Sequence, residues 1–175
     1  MAPRLSVVLR LLVCLGSFQA CWREANVTLI PKGPLSPSVH NCWPISIILV
    51  LSKVFEGLVS VCLGWFMECS GVLPTTQLAY WKGLGTCDAL LCMSHTLQGA
   101  LESGQKARIV QIDFGAAFDR VNHQGILCKL CPVFIGGSVL SILTQFLSNR
   151  SQYIMMDGGR SKLVSIVSGV PQASV

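Results

Sequence analysis

Charged residues are scarce in this sequence, at 12% of its 175 residues. That is about half the share found in ordinary globular proteins. The net charge of +5 comes from isolated Lys and Arg residues, so the chain lacks the concentrated positive patch of many nucleic-acid-binding proteins. The chain is long enough to bury a core. Because 51% of its residues are hydrophobic and few are charged, we expect it to be weakly soluble alone.

Zinc-binding patterns are lacking too. The sequence has nine Cys, which is an odd number. Cys128 and Cys131 form a C-x-x-C pair, but the second pair that a zinc site requires is missing. A small secreted protein with disulfides remains an alternative, although we favour buried, reduced thiols.

Long apolar runs are also few. The longest, Pro44 to Val54, is interrupted by Ser and Lys residues, so we predict no membrane association. Residues 1–20 resemble a signal peptide, with a basic start and an apolar stretch. Arg10 interrupts that stretch, which argues against a leader. We therefore expect an intracellular protein, in the cytoplasm or nucleus, and keep a secreted protein as the alternative.

Hydrophobic periodicity predicts an α+β fold. The predicted strands are Ala25–Ile30, Ala107–Phe114, the region around Tyr153–Met155, and Leu163–Val167. The predicted helices are Pro44 to about Gly71, Cys87–Leu101 with Thr86 as N-cap, Ala116–Leu130, and Gly137–Leu147. A hairpin is expected at Asp157–Gly159 and a turn at Ser168–Pro171.

Asp113 is the most informative acidic residue. It ends the predicted strand Ala107–Phe114, directly before a predicted helix. A carboxylate at the rim of a sheet suits Mg²⁺, which prefers oxygen ligands. An Asp in this place is equally typical of a helix cap. The pattern alone therefore leaves a metal ligand and a structural cap open.

Several ordered motifs resemble those of LINE-type (non-LTR) retrotransposon reverse transcriptases. The central one is Asp113-Phe-Gly-Ala-Ala-Phe118-Asp119-x-Val121-x-His123. Four further blocks follow the order of that family: Leu29–Gly33, Asn41–Ser46, Leu73–Gly83 with Thr86–Ala89, and Ser168–Gln172. Together they cover about residues 20–175. Each block is weak evidence alone, but their shared order makes chance agreement improbable.

The resemblance implies a partial right-hand polymerase fold, with the fingers and the first part of the palm but without the thumb and the paired-Asp hairpin. Residues 25–85 would form a fingers-like region and residues 86–175 a partial palm, after an N-terminal apolar segment at 1–24. Asp113 would bind Mg²⁺ as a catalytic metal ligand. Lys32 would contact the triphosphate, Phe118 would stack under the sugar, and Gln172 would lie against the incoming nucleotide.

The sequence also departs from the family pattern. Trp43 stands where the family has an Arg, whose planar donor fork an indole cannot replace. Ala173 stands where the family has Gly. We expect a truncated, catalytically inactive remnant of a retrotransposon that binds RNA template and DNA primer weakly at best. A non-catalytic nucleic-acid-binding module is the alternative, and an unpaired sheet edge beside Asp113 would favour self-association.

Overall fold

The computed structural model describes residues 2–33, 41–133, 135–156 and 158–172. The chain divides into two compact units, residues 1–63 with 116–175 and residues 64–115. The helices are α1 (Ala2–Leu15), α2 (Val50–Cys69), α3 (Thr86–Glu102), α4 (His123–Leu130) and α5 (Gly137–Leu147). The strands are β1 (Glu24–Pro31), β2 (Cys42–Ile47), β3 (Arg150–Tyr153), β4 (Met155–Met156), β5 (Gly159–Arg160) and β6 (Val164–Ile166).

The larger unit contains a mixed sheet of four strands, in the order β2-β1-β3-β6. Strand β1 pairs antiparallel with β2 and parallel with β3, and β3 pairs antiparallel with β6. Alternate residues of β1 are buried, as Ala25 and Val27 show, because successive strand residues point to opposite faces. The predicted strand Ala25–Ile30 is thus confirmed, and so is the mixed α+β class.

The core of this unit is aromatic and includes the N-terminal helix. Leu9 and Leu12 of α1 pack with Phe18, Trp22, Phe55 and Ile142. The rings of Phe18 and Trp22 meet edge to face, with their centroids 5.4 Å apart. The signal-like segment therefore contributes two buried leucines to the folded unit.

A close backbone contact joins α1 to α5. Gly16 follows α1 with φ +62°, and a Cβ added there would lie 2.9 Å from the Ser138 Cα. The Ser138 hydroxyl donates to the Cys14 carbonyl at 3.0 Å, and the Ser141 hydroxyl donates to the Gly16 carbonyl at 2.8 Å. Glycine is needed at residue 16 for its conformation and for the space that it leaves.

Helix α2 begins later than predicted. Residues 42–47 form β2, and the helix starts at Val50. Pairing with β1 overrides the helical period here, and Pro44 is tolerated because β2 lies at the edge of the sheet. The helix ends just before Gly71, as predicted, where φ is +60°.

The length and composition of α2 also meet the requirements of a membrane span. It has 20 residues and is the one helix within the described residues that passes this test. The core helix of a soluble protein passes the same test. In α2, Phe55 is fully buried whereas Val61 and Trp65 are exposed.

In the smaller unit, α3 confirms the predicted helix with a different N-cap. The cap is Gly85 rather than Thr86. The Gly85 amide donates to the Asp88 carboxylate at 2.7 Å, so that the acidic side chain stabilises the first turn. No residue of α3 is buried.

The predicted strand Ala107–Phe114 is wrong. Residues 105–114 have no regular secondary structure, and Ile109, Val110 and Ile112 are exposed. A strand requires a neighbour that accepts its backbone hydrogen bonds, and the alternation of side chains does not supply one. The sheet edge expected beside Asp113 is therefore not formed.

Near the C-terminus the predictions are confirmed more closely. Helix α5 has the predicted bounds, Gly137–Leu147, and β4 pairs with β5 around the expected hairpin. Strand β3 begins at Arg150, three residues before the predicted start, and β6 lies within the predicted Leu163–Val167. Asp157, the first residue of the predicted turn, lies outside the described residues, as does Ala173.

The prediction of buried cysteines is wrong. Eight of the nine are exposed free thiols, and Cys42 is half-buried. These eight give the disulfide alternative no support. The assignment of residues 25–85 to fingers and 86–175 to a palm remains a prediction.

We expect the Gly16→Ala substitution to destabilise the larger unit more than Gly137→Ala. Both positions have positive φ, which costs an L-residue about 1–2 kcal/mol. A Cβ at residue 137 meets nothing within 4 Å, whereas one at residue 16 meets the α5 backbone. That overlap adds about 1–3 kcal/mol. Urea unfolding of the two variants measures the difference, and equal losses would contradict the contact between α1 and α5.

Candidate functional site

The segment after Asp113 folds as turns rather than as the predicted helix Ala116–Leu130. Ala116 has φ +54°, and its carbonyl accepts hydrogen bonds from the amides of Asp119 and Arg120. Helix α4 begins only at His123, because the Asn122 side chain accepts a hydrogen bond from the Gly125 amide at 2.8 Å. The predicted helix is thus correct only from residue 123 onward.

These turns are held by the Ser168–Gln172 segment, which lies almost fifty residues later in the chain. The Gly169 amide donates to the Val121 carbonyl at 2.8 Å, and the Val170 amide donates to the Phe118 carbonyl at 2.9 Å. The Ser168 hydroxyl donates to the Asp119 carbonyl at 3.2 Å. Two of the motifs identified in the sequence are therefore in direct contact.

His123 adds a side-chain bond to the same contact. Its Nε2 lies 2.6 Å from the Gly169 carbonyl oxygen. Because a carbonyl can only accept, the Nε2 atom carries the proton in this bond. The imidazole therefore secures the turn from the first residue of α4.

Gly169 makes the close approach of the two motifs possible. Its φ is +85°, a conformation that favours glycine. A Cβ at residue 169 would lie 2.8 Å from the Asp119 carbonyl oxygen and 2.9 Å from the Phe118 carbonyl oxygen. No other residue type fits here without a shift of backbone.

A third motif, Asn41–Ser46, joins the same place. The Ser46 amide donates to the Gln172 carbonyl at 3.1 Å. Where the three motifs meet, the structure has a cavity of about 320 Å³. Its described lining comes from four strands, the Ser168–Gln172 segment and the turn that contains Asp119: Val27, Pro44, Ser46, Asp119, Arg150, Gln152, Ile166, Ser168, Gly169, Val170, Pro171 and Gln172.

The register of the sheet explains which strand residues line this cavity. Val27 is the partner of Ser46, and Arg150 is the partner of Ile166. Arg150 and Gln152 are two residues apart on β3 and thus project from the same face. A second cavity of about 510 Å³ lies at the opposite face, lined by residues of the other parity such as Asn26 and Tyr153.

Arg150 is the residue of this site that the sequence did not reveal. Its side chain is 1% exposed. One guanidinium nitrogen, Nη1, donates to the Phe146 carbonyl at 3.1 Å, and the group lies 4.8 Å from the centre of the Phe146 ring. Nε and Nη2 are buried without a hydrogen-bond partner. A lone Arg after a helix usually reaches solvent. Here its two-residue spacing from Gln152 on β3 places it on the covered face of the sheet.

Burial and two nearby charged groups change the pKa of Arg150. Burial lowers the pKa of the Arg150 guanidinium from its ordinary value, the Glu56 carboxylate raises it, and the Arg23 guanidinium lowers it further. Glu56 accepts a hydrogen bond from the Ser52 hydroxyl at 2.6 Å. Glu56 and Arg23 thus act on Arg150 in opposite directions.

The predicted site residues are only partly brought together. Gln172 is half-buried and lines the cavity. Phe118 lies beside it through its backbone, while its side chain is 41% exposed. Lys32 is an exposed residue just after β1, and its amide donates to the Asn41 carbonyl at 2.9 Å.

Asp113 belongs to the smaller unit, whereas the other predicted residues belong to the larger one. It is exposed and lies on the stretch without regular structure. Among the residues that the structure describes, no group of three or more His, Cys, Asp or Glu side chains is placed to hold a metal ion. Asp113 therefore offers a single carboxylate.

We expect Gly169→Ala to open the contact between the turn and residues 118–121, because its Cβ would overlap the Asp119 backbone. The Val170 amide, which now donates to Phe118, should lose its protection against hydrogen exchange. Gly158→Ala is the matched control, since Gly158 has φ +78° but open space around a Cβ. Unchanged Val170 protection in the Gly169 variant would contradict this account of the turn.

No protein-family model matches the chain. Curated proteins do resemble it along nearly its whole length. The RNA-directed DNA polymerase from mobile element jockey of Drosophila melanogaster is 29% identical over 98% of the chain. The probable RNA-directed DNA polymerase from transposon X-element of the same species is 27% identical over 98% of the chain. The retrovirus-related Pol polyprotein from type-1 retrotransposable element R2 of Popillia japonica is 27% identical over 97% of the chain.

The chain spans only part of these relatives, covering 19% of the first two and 23% of the third. The similar stretch covers nearly the whole chain and thus the positions of the motifs described above. It confirms the predicted resemblance. The chain is similar, from end to end, to about a fifth of an RNA-directed DNA polymerase of the non-LTR retrotransposon class.

Proposed function

We propose that the chain is a fingers and partial palm segment of an RNA-directed DNA polymerase, and that its cavity receives part of the incoming nucleotide. The observation that carries this proposal is the meeting of three separate motifs around Gln172. The Ser46 amide donates to the Gln172 carbonyl there, and the Val170 amide donates to the Phe118 carbonyl. Such a convergence of distant motifs on one concave site is typical of ligand recognition.

Each predicted nucleotide-binding residue has a role in the proposal. Gln172 would contact the nucleotide from the wall of the cavity. Phe118 would lie under the sugar, which agrees with the exposure of its ring. Lys32 would contact the triphosphate, since an exposed ammonium is suited to act as a point charge toward phosphate.

The acidic residues of the chain do not fit a complete metal site. Two metal ions in nucleotidyl transfer are normally held by several carboxylates and by substrate phosphates. Asp113 would be a ligand of Mg²⁺, but the sequence contains no two adjacent acidic residues, and no described cluster surrounds Asp113. We therefore propose that this chain does not polymerise by itself, and no catalytic step follows from its residues alone.

RNA template and DNA primer are the proposed partners. Exposed Lys and Arg residues such as Lys106, Arg108 and Arg120 would contact phosphates. Binding of this kind weakens as the salt concentration rises, because counterions are released from the nucleic acid. Binding without catalysis is the second candidate function, which the isolated carboxylate of Asp113 favours.

We further propose an intracellular location, since α1 is part of the folded core.

A primer-extension assay with Mg²⁺ tests the catalytic part of the proposal. We expect no extension by this chain, and no difference between it and Asp113→Asn. Extension that is lost in the Asp113 variant would show a functional metal site and overturn the proposed inactivity. The same reactions at two salt concentrations, followed by filter binding, report the affinity for the template and primer.

Nucleotide binding tests the role of Gln172. We expect Gln172→Ala to weaken the binding of a deoxynucleoside triphosphate about fivefold to tenfold, as for the loss of one hydrogen bond. Gln98→Ala is the matched control, because Gln98 is an exposed α3 residue that bonds to Glu102. Equal binding by the Gln172 variant and the control would count against the proposed nucleotide site.

A further inference from the structure

The buried guanidinium of Arg150 has an unmet requirement for hydrogen-bond acceptors. Nε and Nη2 lack partners, although the side chain is 1% exposed. A buried cation without its full set of partners is costly. Arg150 lies outside the motifs that carry the resemblance, so it is a separate feature of the cavity.

The neighbouring charges do not remove this requirement. Glu56 is the opposite charge near Arg150, and Arg23 is a second cation in the same region. Arg23 donates to the Phe18 carbonyl at 3.2 Å, and its own Nε is buried without a hydrogen-bond partner. Nε and Nη2 of Arg150 therefore still lack an acceptor, although the Glu56 carboxylate is near.

The sheet places further polar groups on the same face. Gln152 follows Arg150 at the two-residue spacing of a strand face, and Ser46 lies across β1 on that face. Both line the cavity with Arg150. Amide and hydroxyl donors beside a guanidinium are the groups that bind an oxyanion.

We propose that this cavity binds a phosphate group, with Arg150, Gln152 and Ser46 as its ligands. The preference for phosphate over other oxyanions rests on the proposed function, whereas the need of Arg150 for an anionic acceptor does not. The phosphate belongs either to a free nucleotide or to the backbone of a nucleic acid. The planar guanidinium can donate two parallel hydrogen bonds to either.

Asp119 offers a test of whether the group bound in this cavity is an anion. This acidic residue is among those that line the cavity. A carboxylate repels a phosphate that enters the same space. Asp119→Asn should therefore strengthen phosphate binding, whereas a purely structural role of Arg150 predicts no such gain.

The probe for the experiment is inorganic pyrophosphate, titrated into the full chain at low salt by calorimetry. We expect saturable binding that Arg150→Lys weakens about tenfold, because the planar fork is lost. Gln152→Glu should weaken it by a similar factor, since this half-buried residue would then carry a charge that repels the anion. Arg160→Gln is the control for net charge, because Arg160 is an exposed residue paired with Glu24.

A deoxynucleoside triphosphate and a short single-stranded oligonucleotide distinguish the two sources of the phosphate. Tighter binding of either one, with the same dependence on Arg150, supports the proposal and names the source. Pyrophosphate binding without either of these supports the anion site while it counts against the proposed polymerase role. Absence of saturable pyrophosphate binding by the folded chain overturns the proposal. If the Arg150 variant fails to fold, undiminished binding by Gln152→Glu overturns it as well.

Discussion

The cavity of the larger unit depends on a close backbone contact at Gly169. There the turn Ser168–Gln172 lies so near to Phe118 and Asp119 that a Cβ would be within 3 Å of two carbonyl oxygens. This contact makes the backbone of residues 116–121 a partner of the turn instead of a helix. It also fixes the position of Gln172, whose carbonyl then accepts from Ser46 in β2. These two backbone contacts together shape the cavity.

A second constraint comes from a buried cation on the sheet. Arg150 lies on the face that also carries Val27, Ser46 and Gln152, and that face is covered. The ring and the carbonyl of Phe146 satisfy part of the guanidinium, and Glu56 reduces its electrostatic cost. A polar group so deeply buried is expensive to keep unless something binds to it. The proposed phosphate would supply the acceptors that Nε and Nη2 of Arg150 lack.

The sequence predicted the elements whose stabilising contacts are local. Helix α5 has a regular apolar period, and β1 alternates between buried and exposed residues, so both were found with nearly correct bounds. The failures share one physical cause. Residues 107–114 resemble a strand in sequence but pair with no neighbouring strand, and residues 44–47 begin a helical period but pair with β1. Arg150 was missed because burial of a cation depends on strand register, which the pattern of residue types does not encode.

The motif Asp113–His123 carries most of the resemblance, and its two parts have different structural settings. Phe118, Asp119 and His123 occupy a site that the structure builds around them, through bonds to a motif almost fifty residues away. Asp113 belongs to the same motif but lies exposed on a stretch without regular structure, in the other unit. Similarity to the polymerases extends over both parts of the motif, because sequence similarity does not depend on contacts within the fold. Phe118, Asp119 and His123 therefore have a defined structural setting in this chain, whereas a role for Asp113 rests on sequence similarity alone.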